Sequence, residues 1–383
     1  MKITLLVSTT DRPALMPRAN KLAPTIYLLT FLLWPHISAI AEPFRIGALL
    51  DLTGVYSTEA QAFSRGIELG AKEVNKTNPG TIELFVEDTS FSAKAAVTAA
   101  QRLISEKKVA ALITMSATEQ KSVALIAKNF KVLTVSLWDS SPEIEALGDY
   151  SFGFGPWTPA TGEKSAEFTI SKLKAKTAYI ITQQDEWSEL SGNYFKSNFE
   201  RLGGTVVGLD KLDPDTTDYR ATITKIRASK ADAVFFPLAK NVSVFIKQAE
   251  QQNLPQRLVT ADLLNEEEIK NAEGAAEGIY HLSADASDSE KAKKLFSNYK
   301  SRYGEEPGLK TFVSWGYDAI MILADSWKRA NQKGGAELAE AVKLTKELEV
   351  SSGKVSINER GSAPKFPVPH QVQNGKLVTI SAN

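Results

Sequence analysis

Apolar positions in this chain fall into short unbroken runs that alternate with longer stretches of helical spacing. The first such unit is 44–66, FRIGALLDLTGVYSTEAQAFSRG. Residues 45–50 form an apolar run bounded by Pro43 and Asp51, as a strand buried on both faces would. Asp51, Thr53 and Gly54 break it with turn chemistry. From Gln61 the apolar residues Phe63, Ile67, Ala71 and Val74 recur at helical spacing. Strand, loop and helix in this order put the loop at the carboxyl end of the first strand, where open parallel sheets bind ligands.

The unit repeats. The pattern predicts strands over 82–87, 109–114 and 132–136, with helices over 93–107 and from the loop 115–118 to Asn129. A second set follows Pro156 and Pro159: strands over 177–182, 205–209, 233–237 and 258–261, and helices over 161–173, 190–202, 219–229 and 242–252. Long helices then run over 289–303 and 311–331, a shorter one over 338–348, and short strands over 354–358, 371–373 and 376–380. The fold class expected is α/β, with two doubly wound parallel-sheet lobes. The lobes are expected to comprise 42–156 with 287–348, and 157–286 with 349–383, with a cleft between them.

The first 41 residues differ from the rest. Lys2, Arg12, Arg18 and Lys21 precede the apolar run 26–34 (IYLLTFLLW), and Ala39-Ile40-Ala41 supplies small residues for cleavage. This is the form of a secretory signal peptide over 1–41, with translation from Met16 as a shorter alternative; the run is too short for a permanent membrane span. Its removal takes away four of 45 basic residues and one of 45 acidic residues, leaving 41 against 44. A balance so near neutral does not suggest a nucleic-acid partner. The 383 residues include no cysteine, which excludes disulfides, thiolate metal sites, cysteine nucleophiles and a lipid anchor on cysteine. The expected location is the periplasm.

Catalytic signatures are missing. Gly153-Phe154-Gly155 lacks the third glycine of a dinucleotide loop, and there is no P-loop or Gly-x-Ser-x-Gly elbow. His281 and His370 are isolated, His36 lies in the leader, and Asp213, Asp215 and Asp218 lack the glycine and distal glutamate of a calcium loop. The expectation is a binding protein rather than an enzyme, with no cofactor and no metal.

Several segments together resemble the periplasmic leucine/isoleucine/valine-binding proteins of ABC importers: IGALLDLTG, ELGAKEVN, VEDTSFSAKAAVTAAQRLI, SLWDSSPE, TTDYRATITKIRASKADAVFF and FVSWGYDAIMIL, in that order. The likeness implies the type I periplasmic binding fold, with three crossovers between lobes and a ligand enclosed between them. Carried over by position, it implies that Ser116 and the amides around Ala117 hold a ligand carboxylate. Trp138, Asp139 and Ser140 match a loop offering a carbonyl and a hydroxyl, although Trp138 and Asp139 depart from the family's usual residues. Trp187 matches an aromatic closing from the second lobe, and Asp262 the partner of a ligand ammonium. Glu59 and Phe312 match positions shaping the side-chain pocket, and Lys240 a position where an aromatic is common. The cysteines that some members pair fall on Ser90 and Met115.

Other readings stand beside these: packing for both tryptophans, capping of a helix near Asn265 for Asp262, and solvation for Lys240 and Glu59. The function expected is that of a monomeric periplasmic importer component. It would capture a small carboxylate-bearing solute, an amino acid or a relative, and serve separate permease and ATPase subunits. An aromatic-carboxylate binder and a ligand-sensing receptor of the same fold are the alternatives.

Overall fold

The computed structural model describes residues 42–78, 80–284 and 289–381; the expected signal peptide, 1–41, lies outside them. The first sheet contains β1 (Phe44–Leu50), β2 (Ile82–Asp88), β3 (Ala111–Thr114), β4 (Leu133–Ser136) and β5 (Ser151–Gly153). All are parallel, in the order β2-β1-β3-β4-β5. Between them run α1 (Ser57–Thr77), α2 (Ala93–Arg102), α3 (Ala117–Asn129) and the single turn α4 (Pro142–Glu145). A π-helical turn, Leu103–Lys107, extends α2.

The second sheet carries β6 (Thr177–Gln183), β7 (Thr205–Leu212), β8 (Ala233–Phe235), β9 (Arg257–Ala261) and β10 (Tyr280–Ser283) in parallel. Its helices are α5 (Thr158–Ser171), α6 (Glu186–Arg201), α7 (Arg220–Ser229), α8 (Val242–Gln251) and α9 (Glu266–Asn271). After β10 come α10 (Glu290–Tyr303), α11 (Lys310–Arg329) and α12 (Ala336–Lys343), and α11 packs along α1 beside the first sheet. Parallel sheets need both faces covered, and β1, β3, β4 and β8 are buried throughout or nearly so.

The chain passes between the sheets three times: at 154–157, between β10 and α10, and after 363. The stretch 349–363, expected in the second lobe, packs with elements of the first. Strands β11 (Leu348–Val350) and β12 (Gly353–Val355) form their own hairpin, and the Ser351 amide and hydroxyl donate to Asp318 of α11, each at 2.7 Å. Residues 361–363 bond to Gly153 at the edge of β5. The second sheet gains chain only at β13 (Val368–Gln373) and β14 (Lys376–Thr379), which pair antiparallel beside β10. The helix expected over 338–348 ends at Lys343, and in place of the single strand expected over 354–358 stands this hairpin, whose seat in the first lobe is fixed by Asp318, far off in sequence.

Candidate functional site

Loops at the carboxyl ends of the strands in both sheets meet around a cavity of about 340 Å³. Its shape follows from how each loop is pinned. After β1 the chain folds back on Asp51, which is fully buried and accepts from the Tyr56 amide at 2.8 Å. A Cβ on Gly54 would lie 2.0 Å from the Asp51 carboxylate, so this turn requires glycine. Tyr56 is thereby set edge-on to Phe91 at 4.7 Å and to Trp138 at 5.1 Å. Phe91 and its neighbour Ser90 both have positive φ, 54° and 45°, a costly backbone for such residues, and the Ser90 amide is held by Asp88 at 3.0 Å.

After β3, Ser116 caps α3, accepting from the Glu119 amide at 3.4 Å. Glu119 lies buried beneath, accepting from the Thr89 hydroxyl and from the Met115 amide at 3.2 Å. Burial pushes its carboxyl up to about 7 against those donors. After β4, Asp139 is only 8% exposed, and one carboxylate oxygen accepts from the Ala117 amide at 2.8 Å. Burial pushes Asp139 up to about 6; the Ala117 amide opposes this, and Glu186 and Asp185 add to it. The crossover strand presses on this loop at Gly155, where a Cβ would lie 2.4 Å from the Asp139 nitrogen.

The second lobe contributes mainly the start of α6. Asp185 caps it, accepting from the Ser188 amide at 2.9 Å, and its other oxygen is buried without a hydrogen-bond partner among the described residues. Burial, with Glu189 and Glu186 nearby, pushes it up to about 6. Glu186 forms an ion pair with Lys121 of α3 across the cleft and lies 3.4 Å from the Thr118 hydroxyl. The cap at Asp185 starts the helix four residues ahead of the expected 190, placing Trp187 on the first turn, half-buried.

Of the residues singled out in the sequence, Ser116, Ala117, Trp138, Asp139 and Trp187 line this cavity together. The others lie elsewhere. Ser140 is buried, its hydroxyl spent on the carbonyls of Gly155 and Pro156 at 3.0 Å. The Lys240 ammonium reaches outward to Asp215 at 2.9 Å. Glu59 faces Glu267 and Glu268 of α9, its carboxyl pushed up chiefly by burial. Phe312 supports Trp138 from behind at 5.8 Å. Phe312 and Asp262 open on a neighbouring cavity of about 300 Å³, and Asp262 there accepts from Thr161 at 3.2 Å.

Sequence reasoning missed Tyr56, Phe91, Asp185 and Glu186, all in the lining. Each follows a strand, so the strand-mouth rule that selected Ser116 and Trp138 could have found them. Among the described residues no cluster of three or more histidines, aspartates or glutamates could hold a metal ion, and no helix is long and apolar enough to cross a membrane.

Residues 43–367 match the family model described as periplasmic binding protein. A leucine-, isoleucine-, valine-, threonine- and alanine-binding protein of Pseudomonas aeruginosa is 22% identical over 339 residues, covering 86% of this chain and 89% of its own. Among solved structures, a leucine binding protein from Thermotoga maritima superimposes with a TM-score of 0.80 at 26% identity, over 88% of this chain and 97% of that one. A solute binding protein of an ABC transporter from R. palustris, in complex with benzoate, has a TM-score of 0.78 at 19% identity, over 88% and 96%, and at that identity shows the fold alone.

Proposed function

The chain belongs to the periplasmic binding protein family, and on that premise we propose that it is the solute-binding component of an ABC importer. It is exported by its first 41 residues, captures a small organic solute between its lobes, and offers the closed form to a permease driven by a separate ATPase. The observation that carries this reading is a cavity lined from both lobes, with Lys121 and Glu186 pairing across its mouth. A solute that touches both walls binds the closed form better than the open one, and this differential affinity drives closure. The site residues proposed are Ser116, Ala117, Trp138, Asp139 and Trp187 from the sequence, joined by Tyr56, Phe91 and Asp185.

The test uses the absence of native cysteine. Lys94→Cys in the first lobe and Asn193→Cys in the second, labelled with a donor–acceptor pair, report the distance between lobes without background. The solute released by denaturing the natively purified protein is identified by mass spectrometry and added back after refolding. The expected result is a saturable change in transfer efficiency together with a rise in stability, about 2.7 kcal/mol at 100 times the dissociation constant. A protein that yields no solute and shows no lobe movement with any candidate is not a solute carrier.

A further inference from the structure

The cavity walls carry charge of one sign. Among the described residues that line it are three carboxylates, Asp139, Asp185 and Glu186, and no lysine, arginine or histidine. Glu186 is answered by Lys121. Neither Asp139 nor Asp185 has an ion-pair partner within 4 Å, although one is almost wholly buried and the other has an oxygen sealed from solvent. Charges buried without a counter-ion are costly, and a cationic guest in the cavity would remove that cost.

The head of α3 makes the same point from the other side. A helix start with free amides is a natural seat for an anion. Here the Ala117 amide is already taken by the protein's own Asp139, at 2.8 Å. A ligand carboxylate brought to this place would meet a carboxylate instead of a donor. The remaining walls are largely aromatic: Tyr56, Phe91, Trp138 and Trp187. Aromatic faces attract ammonium groups, most strongly where water is excluded.

Resting on the solute-binding reading above, we infer that the cavity takes a small organic cation, an amine or alkylated ammonium that carries no carboxylate of its own. Asp139 and Asp185 neutralise it, and the four rings enclose its alkyl or aromatic body. This departs from the carboxylate-bearing solute expected by resemblance. The physical reason is Asp139, which fills the seat that such a carboxylate would occupy.

The experiment is calorimetric titration of the full protein, unfolded and refolded to strip bound solute, with matched pairs at low ionic strength and pH 7.5. The pairs are leucine against 3-methylbutylamine, phenylalanine against 2-phenylethylamine, and benzoate against benzyltrimethylammonium. The solute extracted from natively purified protein is identified in parallel. The expected result is that a cation binds at least tenfold tighter than its carboxylate counterpart, and that the extracted solute is a cation. Asp139→Asn, which retains an acceptor for the Ala117 amide, and Asp185→Asn each weaken the cation at least tenfold while unfolding within a few degrees of the parent.

A carboxylate that binds tighter than its paired cation, or an extracted solute that is anionic, zwitterionic or neutral, overturns the inference and leaves the solute-binding reading intact. Retention of cation affinity in both variants also overturns it. Silence across all pairs with an empty extract removes the solute-binding reading as well.

Discussion

The two sides of the cleft are built to different standards. On the first lobe the wall is pinned from behind. Trp138 lies against the rings of Tyr56, Phe63 and Phe312 at 5.1–6.2 Å. Glu119 ties the β3 loop to Thr89, and Asp139 ties the β4 loop to α3. On the second lobe the wall is chiefly one helix start. Asp185, Glu186, Trp187 and Leu190 are all only partly buried, fastened by the Asp185 cap and by the Ser188 hydroxyl on the Pro237 carbonyl at 2.6 Å. Side chains locked by packing and by a second layer of hydrogen bonds form a preorganised surface. On the proposed reading, the first lobe is therefore a half-site ready before the solute arrives, and the start of α6 is the cover that completes it.

The sharpest way to break this contrast is to remove matching apolar mass from both sides. Phe63 is fully buried beneath Trp138 and touches the rings of Phe312 and Trp315. Phe63→Ala should cost about 3–5 kcal/mol in denaturant unfolding. Leu190→Ala, on the half-buried face of α6, should cost about 1 kcal/mol. Equal losses would mean that the two walls are equally supported. The next effect in size is Glu119→Ala, which strands the Met115 amide in a buried place and leaves the Thr89 hydroxyl only the Leu50 carbonyl, at 3.2 Å. The expected loss is about 1–3 kcal/mol, with Glu119→Gln recovering part of it.

The same contrast governs how much was legible from the chain. Apolar runs of strand length mark β1 to β4 and β6 to β9, most clearly where a parallel strand is buried on both faces, but not the short β5 and β10, which are not among the expected strands. Ser116, Trp138 and Asp139, which line the cavity from the first lobe, are legible because they directly follow such runs. What escaped depended on partners distant in sequence. Ser140 looked like a ligand hydroxyl until the crossover carbonyls of Gly155 and Pro156 took it. Lys240, which the sequence leaves open between the cleft and solvent, pairs with exposed Asp215. The helix at 186 was missed because Asp185 and Glu186 are not apolar; their meaning lies in the cap and in Lys121, 65 residues away. No local pattern encodes the long-range pairings, whereas the Asp185 cap is a local helix-start signal that an apolar count passes over.

Acidity separates the walls from the rest of the protein. Glu119, Asp139 and Asp185 are pushed from ordinary values of 4.5, 3.8 and 3.8 to about 7, 6 and 6, in each case first by burial. Each binds its proton more tightly folded than unfolded. The folded state thus holds more protons between about pH 4 and 7, and stability falls as pH rises through that window. The charges acting on Asp139 are Glu186, Asp185 and Lys121, and those on Asp185 are Glu189, Glu186 and, from its place on Asp215, Lys240; Asp51 acts on Glu119. Carboxylates held below their usual range, such as Asp232 on the amides of Lys176 and Thr177, act the other way, but only as pH falls below about 4. The solute-free protein should therefore melt highest near pH 5 and lower at pH 7, and Asp139→Asn should flatten the slope. With a bound cation the melting-temperature gain should instead grow from pH 5 to 7, as the wall ionises. A gain that shrinks over that range would show the carboxylates taking no part in holding the solute.

The smallest effect expected is at the join between the two walls. Lys121 and Glu186 are each about a third exposed, at 33% and 31%, and an ion pair so accessible contributes only about 0.2–1 kcal/mol. Lys121→Met should leave the unfolding of the solute-free protein nearly unchanged, since neither wall depends on it for support. It should reduce solute affinity by a factor of about 5 at most, the whole of that range converted, because the pair forms only when α6 meets α3. The dissociation rate should carry the change, since closing contacts act after the solute has landed on the first lobe. The substitution also leaves Glu186 unanswered beside Asp139 and Asp185, so a cationic solute should lose less than this ceiling. A loss well beyond fivefold would mean that the cover is held by this pair rather than by the solute, and the division into a prepared wall and a movable one would have to be redrawn at Lys121.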